Sequence, residues 1–550
     1  MAQQLEIKNL DQVVVRFSGD SGDGMQLAGN IFSTVSATVG NGISTFPDYP
    51  ADIRAPQGSL TGVSGFQVHI GAGRVYTPGD LCDVLVAMNA AALKTQLSHA
   101  KPQATIIIDT DSFEQRDLEK AQFQTADYLS ELNIDRDRVV ACPITQMVKQ
   151  CLADSGMDNK SILKCRNMFA LGLVCWLFDR DLTLVENFLR EKFAKKPDIA
   201  ENNIKVVHAG YDYGHNVHAS VPAVYRVESK TKVPGRYMDI TGNKATAYGL
   251  IAAAEKAGLH LYLGSYPITP ATDILHELAK HKSLGVTTVQ CEDEISGCAS
   301  AVGAAFAGAL AATSPTNCFD AAFMAAKIAL EHLTPVVLLT DAYIANGSAA
   351  WKLPKMADLP TIKPHYATPE MKGQYTPYKR DPETAVRYWA IPGQEGYTHI
   401  LGGLEKDGNT GAISTEPENH DRMDHLRYDK VARIPVPNVE VQGDKDDAEL
   451  LIVGFGGTYG HLYTAMEELR KGGHKVALAH FEFINPLPAN TAEVLKRYPK
   501  VVVAEQNLGQ FAGFLRIRVP GFAPYKFNQV KGQPFVVSEL VSHFEKIIKE

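Results

Sequence analysis

Short apolar runs broken by polar turns recur along the whole chain, and many alternate with stretches of helical periodicity. QVVVRFSG (12–19) leads through a glycine-rich turn into MQLAGNIFSTVSATV (25–39), followed by the strand-like runs GFQVHIG (65–71), DVLVAMN (83–89) and ATIIIDT (104–110). A polar connector, VESKTKVPGR (227–236), ends this block. The next block predicts a helix over 241–258, a strand LHLYLG (259–264), a helix from 270, a strand VTTVQCE (286–292), an Ala/Gly-rich helix over 292–312 and a strand TPVVLLTD (334–341). Residues 396–445 are polar and turn-rich and read as a surface linker. The last block alternates LLIVGF (450–455), the turn GGTYG, a helix, KVALAHF (475–481), a helix and KVVVAEQN (500–507). Strands regularly spaced by helices predict an α/β protein of three doubly wound domains: 1–225, 236–395 and 446–550, with 396–445 as linker.

Composition narrows what such a chain does. Its 550 residues, 45% hydrophobic and 21% charged, suffice for several cores. The formal charge of -8 is dispersed, with no basic stripe, which argues against nucleic acid as a partner. No apolar run approaches the roughly 18 residues of a membrane span, and the first residues lack a signal peptide's pattern, so the expected location is cytoplasmic. None of the eight cysteines forms a Cys-x-x-Cys pair. They read as small buried hydrophobes, and no metal site is expected on this chain.

Two glycine turns imitate ligand loops. Gly22-Asp23-Gly24 resembles the start of a magnesium-diphosphate signature, but no Asn pair follows at the required distance, since Asn202-Asn203 lies far along the chain. GFGGTYG (454–460) precedes a helix and would suit a phosphate, with Glu482 as ribose ligand; a lone turn of this kind is weak evidence.

The segment YPITPATD (266–273) is more informative. Thr269 stands at an N-cap position and Pro270 at the first helical position, so the helix mouth is fixed and its free N–H groups suit a carboxylate or phosphate. Further on, Glu292, Asp293 and Glu294 crowd the start of the Ala/Gly-rich helix. The first two read as capping acids. Glu294, flanked by Ile295 and small residues, is expected to point inward, partly desolvated and with a raised pKa suited to proton exchange with a ring nitrogen.

These two segments, with DYPADIRAPQGSLTGVSGFQVHIG (48–71), ITGNKATAYGL (240–250), DAYIANGS (341–348), RYWAIPG (387–393) and INPLP (484–488), resemble the alpha subunits of the 2-oxoacid:ferredoxin oxidoreductases. The likeness is strongest to the 2-oxoglutarate branch, in which a gamma-type domain is fused ahead of a transketolase-like pyrimidine domain and a transketolase C-terminal-like domain. It implies thiamine diphosphate shared with a beta subunit that carries Mg2+ and a [4Fe-4S] cluster, with coenzyme A as co-substrate and ferredoxin as electron acceptor. The implied assembly is a dimer of alpha-beta heterodimers. It further implies that Glu294 hydrogen-bonds the aminopyrimidine, that Ile268 lies against the cofactor, and that Thr269, Ser265, Tyr266 and Arg54 serve the substrate. The implied reaction is reversible oxidative decarboxylation of 2-oxoglutarate to succinyl-CoA. The alternatives are a pyruvate or branched-chain oxoacid enzyme, and a non-catalytic subunit binding acyl-CoA or a nucleotide. The chain departs from the family at Ser314-Pro315, where a segment carrying Arg-Gly-Gly-Pro-Ser-Thr-Gly has no counterpart, and with it an arginine expected to hold the substrate's carboxylate.

Overall fold

The computed structural model describes the chain except residues 1–6, 51, 53–54, 217–223, 231–233, 269–271 and 314–318. The chain divides into two compact units: residues 1–240 with 347–353, and residues 241–346 with 354–550. Arg54 and Thr269, and the Ser314–Pro315 junction, lie outside the described residues.

In the first unit an eight-stranded sheet runs in the order 139–142, 100–109, 82–87, 12–20, 63–71, 42–48, 348–352, 237–241. The first four strands are parallel, in register Val15 to Val84 and Val84 to Thr105, whereas 63–71 pairs antiparallel with both 12–20 and 42–48. The apolar runs are buried on both faces, as strands sandwiched by helices must be. One core joins Phe17, Phe32, Val68 and Met168 to the helices Met25–Thr38, Arg166–Leu177 and Pro197–Asn216. The other packs Leu85 and Ile106 against Leu93 of the helix Ala90–Gln96. The helices Arg166–Leu177 and Pro197–Asn216 cross closely because a Cβ on Gly172 would stand 2.0 Å from the Val207 carbonyl, and one on Gly210 2.1 Å from that of Phe169.

Strands Tyr237–Thr241 and Ser348–Lys352 complete this first sheet, although their sequence positions lie within and beside the second block. Ala349 pairs antiparallel with Ser44, and Ser348 N–H donates to the Thr45 hydroxyl at 2.7 Å.

The second unit holds two sheets. A parallel three-stranded one runs Val286–Gln290, Leu261–Ser265, Leu310–Thr313, and a five-stranded one runs Val441–Gly443, Val476–Phe481, Leu450–Phe455, Val501–Glu505, Tyr525–Asn528. The helix Gly242–Ala257 is capped by the Thr241 hydroxyl and closed by Gly258 in the left-handed region, where glycine carries no steric penalty.

Three expectations are corrected. The Ala/Gly-rich helix ends at Phe306, Gly308 turns the chain at φ +95°, and a strand, Leu310–Thr313, pairs parallel with Leu261–Gly264. A strand therefore separates this helix from the next, Phe319–His332. TPVVLLTD forms no strand: Val337 is 82% exposed and Leu339 51%, an apolar run with no neighbouring strand to pair with among the described residues. The polar linker contains a helix, Pro417–Ala432, that buries only Asn419 and Met423. Proline at its start, Glu418 in the first turn and Lys430 in the last stabilise a helix too polar for its periodicity to announce it.

In the five-stranded sheet His480 is half-buried with its Nε2 shut off from solvent and stays neutral, its pKa pushed down to about 4 by desolvation. The unfolded chain binds a proton at an ordinary His value of about 6.5 while the folded one does not, so stability falls as pH drops through that window. We expect this unit to lose about 2–3 kcal/mol between pH 6.5 and 4 from this group. Urea titrations across that range check it, with His480→Gln flattening the slope.

Candidate functional site

Strand Leu261–Ser265 lies at the centre of its parallel sheet and delivers Ser265, Tyr266 and Ile268 at its carboxyl end, where ligands of such sheets bind. Ser265 is buried, and its carbonyl accepts the Cys291 N–H at 2.7 Å, tying the end of one strand to the end of the next. Beyond the undescribed residues 269–271, the helix Thr272–Leu278 begins with Thr272 donating from both N–H and hydroxyl to the Ile268 carbonyl, at 2.9 and 2.8 Å. Ile268 is 43% exposed.

The helix Glu294–Phe306 packs across this strand end through its small residues. A Cβ on Gly264 would stand 2.3 Å from Ser300 Oγ and 2.6 Å from the Gly297 carbonyl. The Ala/Gly richness read from the sequence thus has a specific use at Gly297 and Ser300. Gly264→Val forces helix and strand apart and is expected to cost roughly 1–3 kcal/mol, read as a lowered urea midpoint.

Asp293 caps this helix: its carboxylate accepts the Ser296 N–H at 2.8 Å while the Ser296 hydroxyl accepts the Asp293 N–H at 3.2 Å. The expected capping role of Asp293 is met, and Glu292 is an exposed neighbour. Glu294, the first helical residue, is left to receive the Tyr266 hydroxyl on Oε1 at 2.5 Å. The expectation of an inward, desolvated Glu294 with a raised pKa is corrected. Its side chain is exposed, and the Tyr266 hydrogen bond, joined by its own backbone N–H, holds the carboxyl below the ordinary value. The cause is geometric: of this helix only Gly297 and Ala301 are buried, and Ile295 is 77% exposed, so its first turn projects beyond the sheet.

Ser265, Tyr266, Ile268 and Glu294 are therefore gathered at one strand end, while Thr269 and Arg54 fall outside the described residues. The Tyr266–Glu294 pairing spans 28 residues and had no local spacing to reveal it. Cys291, read from the sequence as a buried hydrophobe, is only half-buried, with Sγ 3.6 Å from Ser300 Oγ. Cysteines 82, 142, 165 and 175 are buried as expected, and burial pushes the thiols of Cys82, Cys142 and Cys175 up to about 12. Cys298 is exposed, against expectation, because it lies on the outer face of the projecting helix.

A carboxylate of the chain stands at each glycine turn. At the first, Asp20 accepts Gly58 N–H and the Asn89 amide, and Asp23 accepts the Asp20 N–H and pairs with Arg166 at 2.7 Å, so both acids are already engaged within the chain. At the second, the Asp341 carboxylate lies 1.7 Å from where a Gly457 Cβ would be, so the turn passes close over this acid. Among the described residues no group of three or more His, Cys, Asp or Glu is arranged to hold a metal. No helix among them is long and apolar enough to cross a membrane.

Comparison with known proteins shows the family of the chain. Residues 14–213 match the pyruvate ferredoxin/flavodoxin oxidoreductase family, and 252–316 match the thiamine diphosphate-binding domain of pyruvate flavodoxin/ferredoxin oxidoreductase. The 2-oxoglutarate oxidoreductase subunit KorA of Mycobacterium tuberculosis is 42% identical over 97% of this chain and 91% of its own length. The chain belongs to the 2-oxoacid:ferredoxin oxidoreductase alpha-subunit family. Subunit alpha of 2-oxoacid:ferredoxin oxidoreductase 1 from Aeropyrum pernix is a more distant member, 25% identical over 75% of this chain and 76% of its own. The fold is that of the 2-oxoglutarate:ferredoxin oxidoreductase from Magnetococcus marinus, solved with 2-oxoglutarate, coenzyme A and succinyl-CoA bound. That chain superposes with a TM-score of 0.83 at 23% identity, covering 98% of this chain and 100% of that one. The alignment with the mycobacterial member spans 601 positions, of which 97% of this 550-residue chain fills about 534, leaving about 67 alignment positions without a counterpart here.

Proposed function

We propose that this chain is the alpha subunit of a 2-oxoglutarate:ferredoxin oxidoreductase, which joins oxidative decarboxylation of 2-oxoglutarate to coenzyme A acylation and passes the electrons to ferredoxin. The observation that carries the reading is the ionised, unburied Glu294 carboxylate at the end of the central strand, beside Tyr266 and Ile268. With Asp293 already serving the helix cap, this acid is available to a heterocycle.

Glu294 fits the role of the acid facing an aminopyrimidine, and Ile268 offers an apolar surface for the ring's other side. Thiamine diphosphate would supply, when bound, the electron sink for the bonding pair left on the oxoacid's keto carbon as carbon dioxide departs. The chain's own part is to hold a proton-exchanging carboxylate at a fixed point: Tyr266 donates to Oε1, fixing the rotamer and leaving the second oxygen for a ligand. The exposure of Glu294 supports a site walled on its remaining sides by a beta subunit, which brings the diphosphate, Mg2+ and a [4Fe-4S] cluster. A cytoplasmic dimer of alpha-beta heterodimers, with the domain limits read from the sequence, belongs to the same proposal, as does reversal of the reaction to fix carbon dioxide in a reductive cycle.

The test is co-expression with the neighbouring beta subunit and parallel assay of 2-oxoglutarate, pyruvate and a branched-chain oxoacid with a dye acceptor. Highest kcat/KM for 2-oxoglutarate is expected. Preference for either other acid moves the chain to that branch, and no turnover with any of them overturns the reading.

A further inference from the structure

The far end of the helix that carries Glu294 opens on a cavity. Phe306, its last residue, lines a space of about 620 Å³ with Tyr378, Arg387, Leu401, Gly402 and Gly403. At a rise of about 1.5 Å per residue, the helix places it roughly 18 Å from Glu294.

The charge around this cavity is unbalanced. Arg387 faces Arg380 across an isolated antiparallel bridge and reaches the Tyr375 hydroxyl. Arg380 donates from Nη1 to the Ala385 carbonyl at 2.9 Å, but its Nε is buried with no partner. Lys430 donates to the Leu333 carbonyl at 2.9 Å, and burial, reinforced by Arg380 and Arg387, pushes its amine down to about 8. Lys406, only 6% exposed, donates to the carbonyl of Gly403 in the cavity wall. None of these four cations forms an ion pair among the described residues, whereas nearby Arg427, Arg422, Arg433 and Lys327 are all matched to carboxylates. Asp381, between the two arginines in sequence, gives its carboxylate to the N–H groups of Glu383 and Thr384. Grouped cations repel one another and are costly to desolvate unless an anion lies among them.

We propose that this cavity is an anion site that takes the phosphoryl end of a small organic phosphate, with Arg387 on the anion and Phe306 and Tyr378 against the organic part. A guanidinium matches phosphoryl oxygens with two parallel hydrogen bonds. Several uncompensated cations suit a doubly charged group better than a single carboxylate. The space lies within the few hundred to about 1,000 Å³ typical of small-molecule sites, more than a bare inorganic ion fills. The ligand's organic part would lie on the two aromatic rings.

Isothermal titration of the full chain with pyrophosphate, ADP and coenzyme A, at fixed ionic strength, tests this. Saturable binding is expected, weakened about tenfold or more by Arg387→Gln and partly restored by Arg387→Lys. Phe306 is half exposed, so Phe306→Ala keeps the fold; it is expected to weaken ADP while leaving pyrophosphate unchanged. Tighter binding of coenzyme A than of ADP upholds the site and identifies its occupant as the nucleotide end of an acyl carrier, whereas equal binding of the two identifies a free nucleotide. The proposal is overturned if none of the three binds at millimolar concentration, if Arg387→Gln binds them like the parent chain, or if pyrophosphate and ADP bind alike and Phe306→Ala changes neither.

Discussion

Glu294→Gln in the assembled complex is expected to lower kcat for 2-oxoglutarate by about 10²–10⁴, the range that a positioned acid-base group contributes. Glutamine retains the size and one hydrogen bond of the side chain but can neither carry the charge nor exchange the proton. The fold should not notice. Glu294 is exposed, and the Asp293–Ser296 capping box does not involve it, so the urea midpoint should move by no more than a surface substitution moves it, about 0.5 kcal/mol. The discriminating pattern is therefore lost turnover with unchanged stability and a modest change in KM, read by dye reduction under substrate saturation. Turnover equal to the parent's would remove Glu294 from the chemistry and favour a non-catalytic acyl-CoA or nucleotide-binding subunit. Tyr266→Phe supplies a graded companion. Losing the hydroxyl removes the largest influence holding the Glu294 carboxyl down, so that pKa rises toward its ordinary value and the carboxylate is protonated at higher pH. The acid limb of the pH–rate profile should shift upward, leaving the neutral plateau close to that of the parent.

The alternation of apolar runs and helical stretches made the strands legible, because parallel strands buried on both faces must be almost continuously apolar. QVVVRFSG, LHLYLG and KVVVAEQN all contain strands. The same rule failed at TPVVLLTD. An apolar run becomes a strand only beside a partner, and here the run is exposed with no strand beside it among the described residues. At the candidate site, the residue types and the cap were readable since both depend on local spacing. The direction of Glu294 was not, as it depends on how far a helix of mostly alanine and glycine projects past its sheet. The pairing of Tyr266 with Glu294 is likewise set by tertiary packing. Arg16 was invisible for a related reason: within QVVVRFSG it reads as the polar interruption of a strand, yet it is 1% exposed.

Asp48→Asn is expected to destabilise the first unit by roughly 3–5 kcal/mol, the cost of leaving a buried ion without its counter-charge. Arg16 projects from the central strand 12–20 into a polar pocket, where Nε donates to Gln96 Oε1 at 2.7 Å, Nη1 to Gln67 Oε1 at 3.1 Å, and Nη2 to the Asp48 carboxylate. The two amides satisfy hydrogen bonds without neutralising charge. Desolvation accordingly pulls the Arg16 pKa down, and Asp48 is the first-ranked influence opposing it. Asparagine preserves the shape and an accepting oxygen but removes the charge, so the guanidinium remains ionised in a site that water cannot reach. The opposite deletion, Arg16→Gln, should cost less, because Asp48 is 28% exposed and solvent can hydrate its freed carboxylate. Urea unfolding of the two variants ranks the costs, and the double variant separates the pairwise part from the rest. Equal losses from the two single changes would mean that the pocket is wet and the pair ordinary. A markedly larger loss for Asp48→Asn would show that the strand tolerates Arg16 only through its counter-charge, which ties the conformation of the 42–48 strand to a single buried cation.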